Sequence, residues 1–136
     1  MKTKTLEQTI EFECTTHEFY EIIMDSEKHS LYTGGEALIT PRVGGKFTAW
    51  DGYIEGKTIE LIEDEKIVQT WRNNDFPEGY ESTVIFELEK TPTGTKLHFK
   101  HKDVPAKQAR DLNEGWKKFY WKPIIAELKK RTDADA

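Results

Sequence analysis

Four histidines are the first residues to weigh for chemistry. His98 and His101 stand three apart in an alternating run, so they point to opposite faces of one strand and cannot share a metal without a bulge. His17 and His29 fall in an upstream helical stretch. Neither a metal centre nor a cofactor is expected. His101 shares a face with Leu97 and Phe99. There it either hydrogen-bonds a ligand inside a cavity or is satisfied by a neighbouring carboxylate or backbone carbonyl, as buried polar groups generally are. Cys14, the sole cysteine, ends a strand on its apolar side, which suits a small buried hydrophobe better than an activated thiolate. Ser26, Ser30 and Ser82 have no evident base, and the pairs Gly34-Gly35 and Gly44-Gly45 lack the Lys-Ser/Thr of a phosphate loop. Glu7, Glu11, Glu13, Glu60, Glu87 and Glu89 read as solvated strand faces. Nucleophilic catalysis needs a nucleophile beside a base, and no such pair stands out.

The aromatic residues are more informative. Trp50, Tyr53, Trp71, Phe86, Phe99, Trp116, Tyr120 and Trp121 come from several strands and one long helix. Some must build the core, yet ligand pockets are lined by the same residue types with a few polar groups to fix orientation. The candidate lining is Trp50, Trp71, Phe86, Phe99, His101, Trp116 and Tyr120. Trp71 and Arg72 must face opposite ways, and a one-residue slip in register exchanges them. An inward Arg72 would hold a carboxylate bidentately. The sequence leaves that choice open.

The elements that would position these residues alternate in a readable order. Thr5 to Cys14 reads as a strand with one wet face. Thr15-Thr16-His17-Glu18 has capping-box spacing, and Asp25-Ser26 offers a cap for a second short helix that Gly34-Gly35 stops. Five strands follow: Lys46 to Trp50, Tyr53 to Ile62, Lys66 to Arg72, Ser82 to Lys90 and Thr95 to Lys102. Asp51-Gly52 is a hairpin dipeptide between the first two. From Ala106 to Arg131 the apolar stripe Leu112, Trp116, Phe119, Tyr120, Pro123, Ile124 and Leu128 makes a long helix, with a kink expected at Pro123. Gly115 is small where the helix would cross the sheet. The expected fold is α+β: a curved six-stranded antiparallel sheet around the long C-terminal helix, two short helices after strand one, and a cavity between sheet and helix.

Several short motifs run in order along this plan. They are Gly44-Gly45-Lys46-Phe47, Asp51-Gly52 with Gly56, Ile67-Val68-Gln69-Thr70-Trp71-Arg72 and Pro77-Glu78-Gly79, then Val104-Pro105, Gly115-Trp116, Tyr120-Trp121 and Pro123-Ile124. With them the chain resembles the START-like (SRPBCC) superfamily, and within it the family named for the C-terminal domain of the activator of the heat-shock protein 90 ATPase. The resemblance implies the helix-grip, birch-pollen-allergen-like fold over one domain spanning 1–136. Phe76 and Tyr80 stand where that family has Trp and often His, so an aromatic group is kept at each.

Charge and composition narrow the partners. The chain of 136 residues has a net charge of −5 with acidic and basic residues interspersed until Lys129-Lys130-Arg131, so it offers no basic stripe for nucleic acid and no attraction to anionic membranes. No apolar run approaches a membrane span or a secretory signal, and a cytoplasmic protein is expected. The leading expectation is a non-enzymatic module binding a small hydrophobic or amphipathic ligand. The family implies a second, a regulator of a heat-shock protein 90 ATPase, for which the loop aromatics Phe76 and Tyr80 are partner-binding candidates, the alternative being that they fold back to cover the sheet end. A cyclase- or hydrolase-type enzyme using the cavity is the third, and the chain is taken as a monomer or homodimer.

Overall fold

A computed structural model describes residues 1–135. Strand β1 (Thr3–Phe12) leads into helices α1 (Thr16–Met24) and α2 (Ser26–Thr33). Strands β2 (Leu38–Ile39), β3 (Lys46–Ala49), β4 (Ile54–Ile62), β5 (Lys66–Asn73), β6 (Ser82–Thr91) and β7 (Gly94–Pro105) follow. A 3₁₀ turn (Ala106–Gln108), α3 (Ala109–Trp116), a π segment (Lys117–Trp121) and α4 (Lys122–Asp135) complete the long C-terminal helix.

The strands form one antiparallel sheet ordered β1-β7-β6-β5-β4-β3-β2, seven strands and not the six expected. The extra strand is β2, whose two residues pair with Thr48 and Phe47 but are too few to show alternation in sequence. Register shifts in the β1–β7 and β4–β5 pairings mark bulges, which bend a sheet and increase its twist. Alternation delivers one apolar face: Leu6 and Phe12, Ile67 and Trp71, Val84 and Phe86, and Leu97, Phe99 and His101 are all buried. The helix lies against that face.

Local chemistry sets the connections. The Thr15 hydroxyl accepts from the Glu18 amide at 3.0 Å while the Glu18 carboxylate accepts from the Thr15 amide at 3.4 Å, closing the capping box. Asp25 caps α2 by accepting from the Lys28 amide at 2.9 Å, and Gly34, at φ 89°, ends it in the left-handed conformation that glycine adopts without strain. The connection after β3 is two overlapping tight turns. Asp51-Gly52 is the centre of one, in which the Tyr53 amide donates to the Trp50 carbonyl at 3.1 Å, and Trp50-Asp51, at φ 49° and 58°, is the centre of the other, in which the Gly52 amide donates to the Ala49 carbonyl at 3.2 Å. A tryptophan with positive φ is strained by roughly 1–3 kcal/mol.

The helix also differs from a simple kink at Pro123. The Lys122 amide donates five residues back to the Lys117 carbonyl, a π turn immediately before the proline whose missing N–H breaks the ladder. The extra residue in that turn lets Tyr120 and Trp121 both face inward, and leaves Phe119, expected on the buried stripe, 44% exposed. No helix among the described residues is long and apolar enough to cross a membrane.

Candidate ligand cavity

A cavity of about 640 Å³ opens between the β4–β5 end of the sheet and the first turns of the C-terminal helix. That volume lies within the roughly 300–1,000 Å³ typical of small-molecule sites. Ile54, Trp71 and Asn73 line it from the strands, Trp50 and Tyr53 from the β3–β4 turn, and Asp75 from the loop after β5. The helix supplies Gln108, Asp111, Leu112, Gly115, Trp116, Phe119 and Tyr120. Gly115 matters most for the opening. A Cβ built there would touch only the Phe119 ring, at 3.9 Å, so the glycine faces open space.

Four of the seven expected lining residues, Trp50, Trp71, Trp116 and Tyr120, stand in the wall. The other three do not. Phe86, Phe99 and His101 are 2%, 1% and 0% exposed and lie against the Trp116 ring at centroid distances of 6.3, 4.5 and 5.8 Å. Alternation assigned them correctly to the inner face, but the Trp116 indole caps them and makes them core. Trp71 faces inward at 3% exposure, which settles the register. Arg72 therefore points out, and its Nη1 donates to the Pro77 and Tyr80 carbonyls at 3.1 and 3.2 Å, clamping the following loop.

His101 is satisfied by neither a carboxylate nor a backbone carbonyl. The Trp116 indole, which can only donate, gives its N–H to Nδ1 at 3.0 Å. The ring's proton therefore sits on Nε2, which donates to the Ser82 hydroxyl at 2.7 Å, and Ser82 donates in turn to the Trp71 carbonyl at 2.9 Å. Burial lowers the His101 pKa to about 3, so the ring stays neutral. Ser82 and His101 are spaced like a nucleophile and its base, yet the histidine nitrogen facing the hydroxyl already carries a proton and cannot accept another. Cys14 is no better placed, since burial, with Glu18 nearby, pushes its thiol up to about 12.

A second buried histidine braces the wall. His29 donates from Nδ1 to the Ile23 carbonyl at 3.1 Å, and its Nε2 accepts from the Tyr120 hydroxyl at 3.0 Å. Burial lowers its pKa. Trp50 is different. Its Nε1 is the buried side-chain nitrogen left without a hydrogen-bond partner among the described residues, and its ring packs edge-on to Phe119 at 5.3 Å. The strained turn and the unpaired donor occur in one residue of the cavity wall.

The polar end of the cavity was not anticipated. The Tyr53 hydroxyl donates to the Asp75 carboxylate, and burial followed by that bond pushes the phenol up to about 12. The Asn73 side chain accepts from the Asp75 amide at 2.8 Å, and Gln108 Nε2 donates to the Asp75 carbonyl at 2.9 Å. Spacing along the helix does reveal that Asp111, Gly115 and Phe119 share one face. Nothing in the sequence brings Asp75 to them.

Both partner-binding candidates lie back against the fold. Phe76 is 4% exposed, wedged against Trp71 at 5.5 Å and Tyr80 at 5.8 Å, so it covers the sheet end instead of projecting. Tyr80 is half-buried and its hydroxyl donates to the Asp103 carbonyl. His17, Glu63 and Asp64 bring donor atoms within 4.8 Å of one another at the surface, where His17 Nδ1 bonds Asp64 at 2.9 Å.

A seven-stranded antiparallel sheet against a long C-terminal helix, with an aromatic cavity between them, defines a domain of the START-like class. The chain belongs to the family described as activator of Hsp90 ATPase homolog 1-like protein, whose sequence model matches residues 13–129. It is 31% identical over 118 residues to an activator of 90 kDa heat shock protein ATPase homolog from Dictyostelium discoideum, covering 85% of this chain and 30% of that protein. It is 30% identical over 122 residues to homolog 2 of that activator from Mus musculus, covering 90% of this chain and 37% of the relative. The chain thus spans about a third of the length of these curated relatives. Among solved structures it is similar to an HSP90 activator from Plasmodium falciparum, with TM-score 0.83 and 27% identity over 92% of this chain and 96% of that one.

Proposed function

We propose that this domain is a binding module that holds a small apolar or amphipathic molecule in the sheet–helix cavity. The observation that carries the reading is the hollow itself: about 640 Å³ walled by three indoles, with Gly115 leaving its helix face empty. A concave, largely apolar space of this size is of the kind that small-molecule sites occupy. Phe119 and Leu112 extend the apolar wall, and the Tyr53–Asp75–Gln108 rim supplies orientation.

The test is direct. N-phenyl-1-naphthylamine, a neutral probe, should quench tryptophan fluorescence and raise the melting temperature, as a ligand of the native state must. Gly115→Leu should fill the space and abolish both effects while the variant stays folded. Failure of the neutral probe to bind at high micromolar concentration overturns the reading.

Family membership and the printed names of the relatives favour a second role, regulation of a heat-shock protein 90 ATPase in the cytoplasm. Because the chain corresponds to about a third of those relatives, only a domain's share of such activity is proposed. The burial of Phe76 removes it as an anchor, so contact would run through other exposed apolar groups such as Leu38 and Val43, 62% and 59% exposed. A changed chaperone ATPase rate on adding the protein supports this role, and absence of binding at high micromolar concentration ends it.

A further inference from the structure

Resting on the cavity reading, we infer that the site selects a cationic amphipath, an alkyl or aryl amine, over carboxylates and other anions. The formally charged side chains in the wall are Asp75 and Asp111, and no lysine or arginine joins them. These two carboxylates lie at the same end. The Gln108 bond to the Asp75 carbonyl ties the loop after β5 to the start of the helix, and Asp111 follows one turn later. From Asp111 the same helix face runs through Gly115 to Phe119, eight residues or roughly 12 Å at the α-helical rise. The cavity is therefore polarised along its length, acidic at one end and aromatic at the other.

Each end favours the same ligand. An ammonium at this end is attracted by the Asp75 and Asp111 carboxylates, whereas an anion there meets two like charges. Indole faces attract cations and accept alkyl or aryl groups equally well, and Trp71 and Trp116 supply them along the middle. Lys118 lies 5.3 Å from the Phe119 ring, at the opposite end from the carboxylates.

Three probes of matched chain length decide the matter: decyltrimethylammonium, decanoate and decanol, each titrated below its aggregation concentration into the whole chain. The cation should bind about tenfold or more tightly than decanoate, an advantage of the size expected from opposite charges at a cleft rim. Asp75→Asn with Asp111→Asn should erase most of that preference while leaving decanol binding unchanged, and Glu87→Gln, on the outer sheet face, should not alter it. Gly115→Leu should block all three probes. If decanol binds but decanoate matches the cation, the charge selection is overturned and the cavity reading stands. If the preference survives the double variant or Gly115→Leu, the cation is binding elsewhere and the inference fails. If none of the probes binds, the cavity reading itself has failed.

Discussion

The two ends of the sheet–helix interface are built from the same kinds of residue and differ in density. At one end Phe12, Phe19, Phe99 and Trp121 interlock, with Phe12–Phe19 centroids at 4.7 Å and Phe99–Trp121 at 5.2 Å, and the Trp121 indole donates to Gln8 at 2.6 Å. At the other, Trp50, Trp71, Trp116 and Phe119 surround open space. Aromatic content therefore does not distinguish a core from a pocket. What does is the spacing of the backbones and the presence of a side chain to fill it. From the π turn the packed end receives the Trp121 ring, whereas the hollow end has Tyr120 in its wall and Gly115 beside it, with no side chain to fill the space.

Truncation should expose the largest contrast. Trp116 packs on Trp71, Phe86, Phe99, Tyr120 and Trp121 and supplies the hydrogen bond to His101, so Trp116→Ala should cost about 3–5 kcal/mol. Phe119→Ala, at the hollow end and 44% exposed, should cost under about 1 kcal/mol. Urea unfolding of both variants checks this, and equal losses would erase the distinction between the two regions.

A pair of glycines sharpens it next. At Gly56 an added Cβ would lie 2.0 Å from the Thr70 carbonyl oxygen, so Gly56→Ala should destabilise by about 1–3 kcal/mol or more. At Gly115 nothing opposes the methyl group, and Gly115→Ala should gain up to about 1 kcal/mol from helix propensity. Opposite signs in thermal melts are the expected outcome.

Acid should act through the closed region beneath the cavity. The His101 pKa is lowered from its ordinary 6.5 to about 3, so below the upper value the unfolded chain takes up a proton that the folded chain refuses. Stability is fully present above that value and declines as pH falls, by about 2 kcal/mol on reaching pH 5. His29, also lowered by burial, acts in the same direction, whereas His17, raised by its bond to Asp64, acts oppositely from an exposed site. His101→Gln cannot titrate, so the stability gap between it and the natural chain should narrow from pH 7 to pH 5.

Much of this architecture is legible in the residues because strand alternation, the Thr15 and Asp25 caps and the helical stripe are local signals. Depth is not local. Phe86, Phe99 and His101 share a face with Trp71, and only the placement of the Trp116 ring decides which of them can meet a ligand. Register is not local either: Trp71 faces inward and Arg72 outward because β5 pairs with β6 through Ile67↔Phe86 and Trp71↔Ser82. The acidic end of the cavity is the least legible part, since Asp75 and Gln108 are 33 residues apart and meet only when the Arg72-clamped loop closes on the helix start. In sequence Phe76 reads either as a projecting loop anchor or as an aromatic folded back over the sheet end, and in the fold it is the wedge.

The four indole N–H groups offer the most direct test, because they report the two regions separately in one nitrogen–proton correlation spectrum. Trp50 and Trp71 belong to the hollow end, Trp116 divides it from the core, and Trp121 belongs to the packed end. On titration with N-phenyl-1-naphthylamine the Trp50 and Trp71 signals should move saturably while that of Trp121 stays fixed, and Gly115→Leu should leave all four in place. A titration in which no indole moves, or in which Trp121 moves as far as Trp50, contradicts the account.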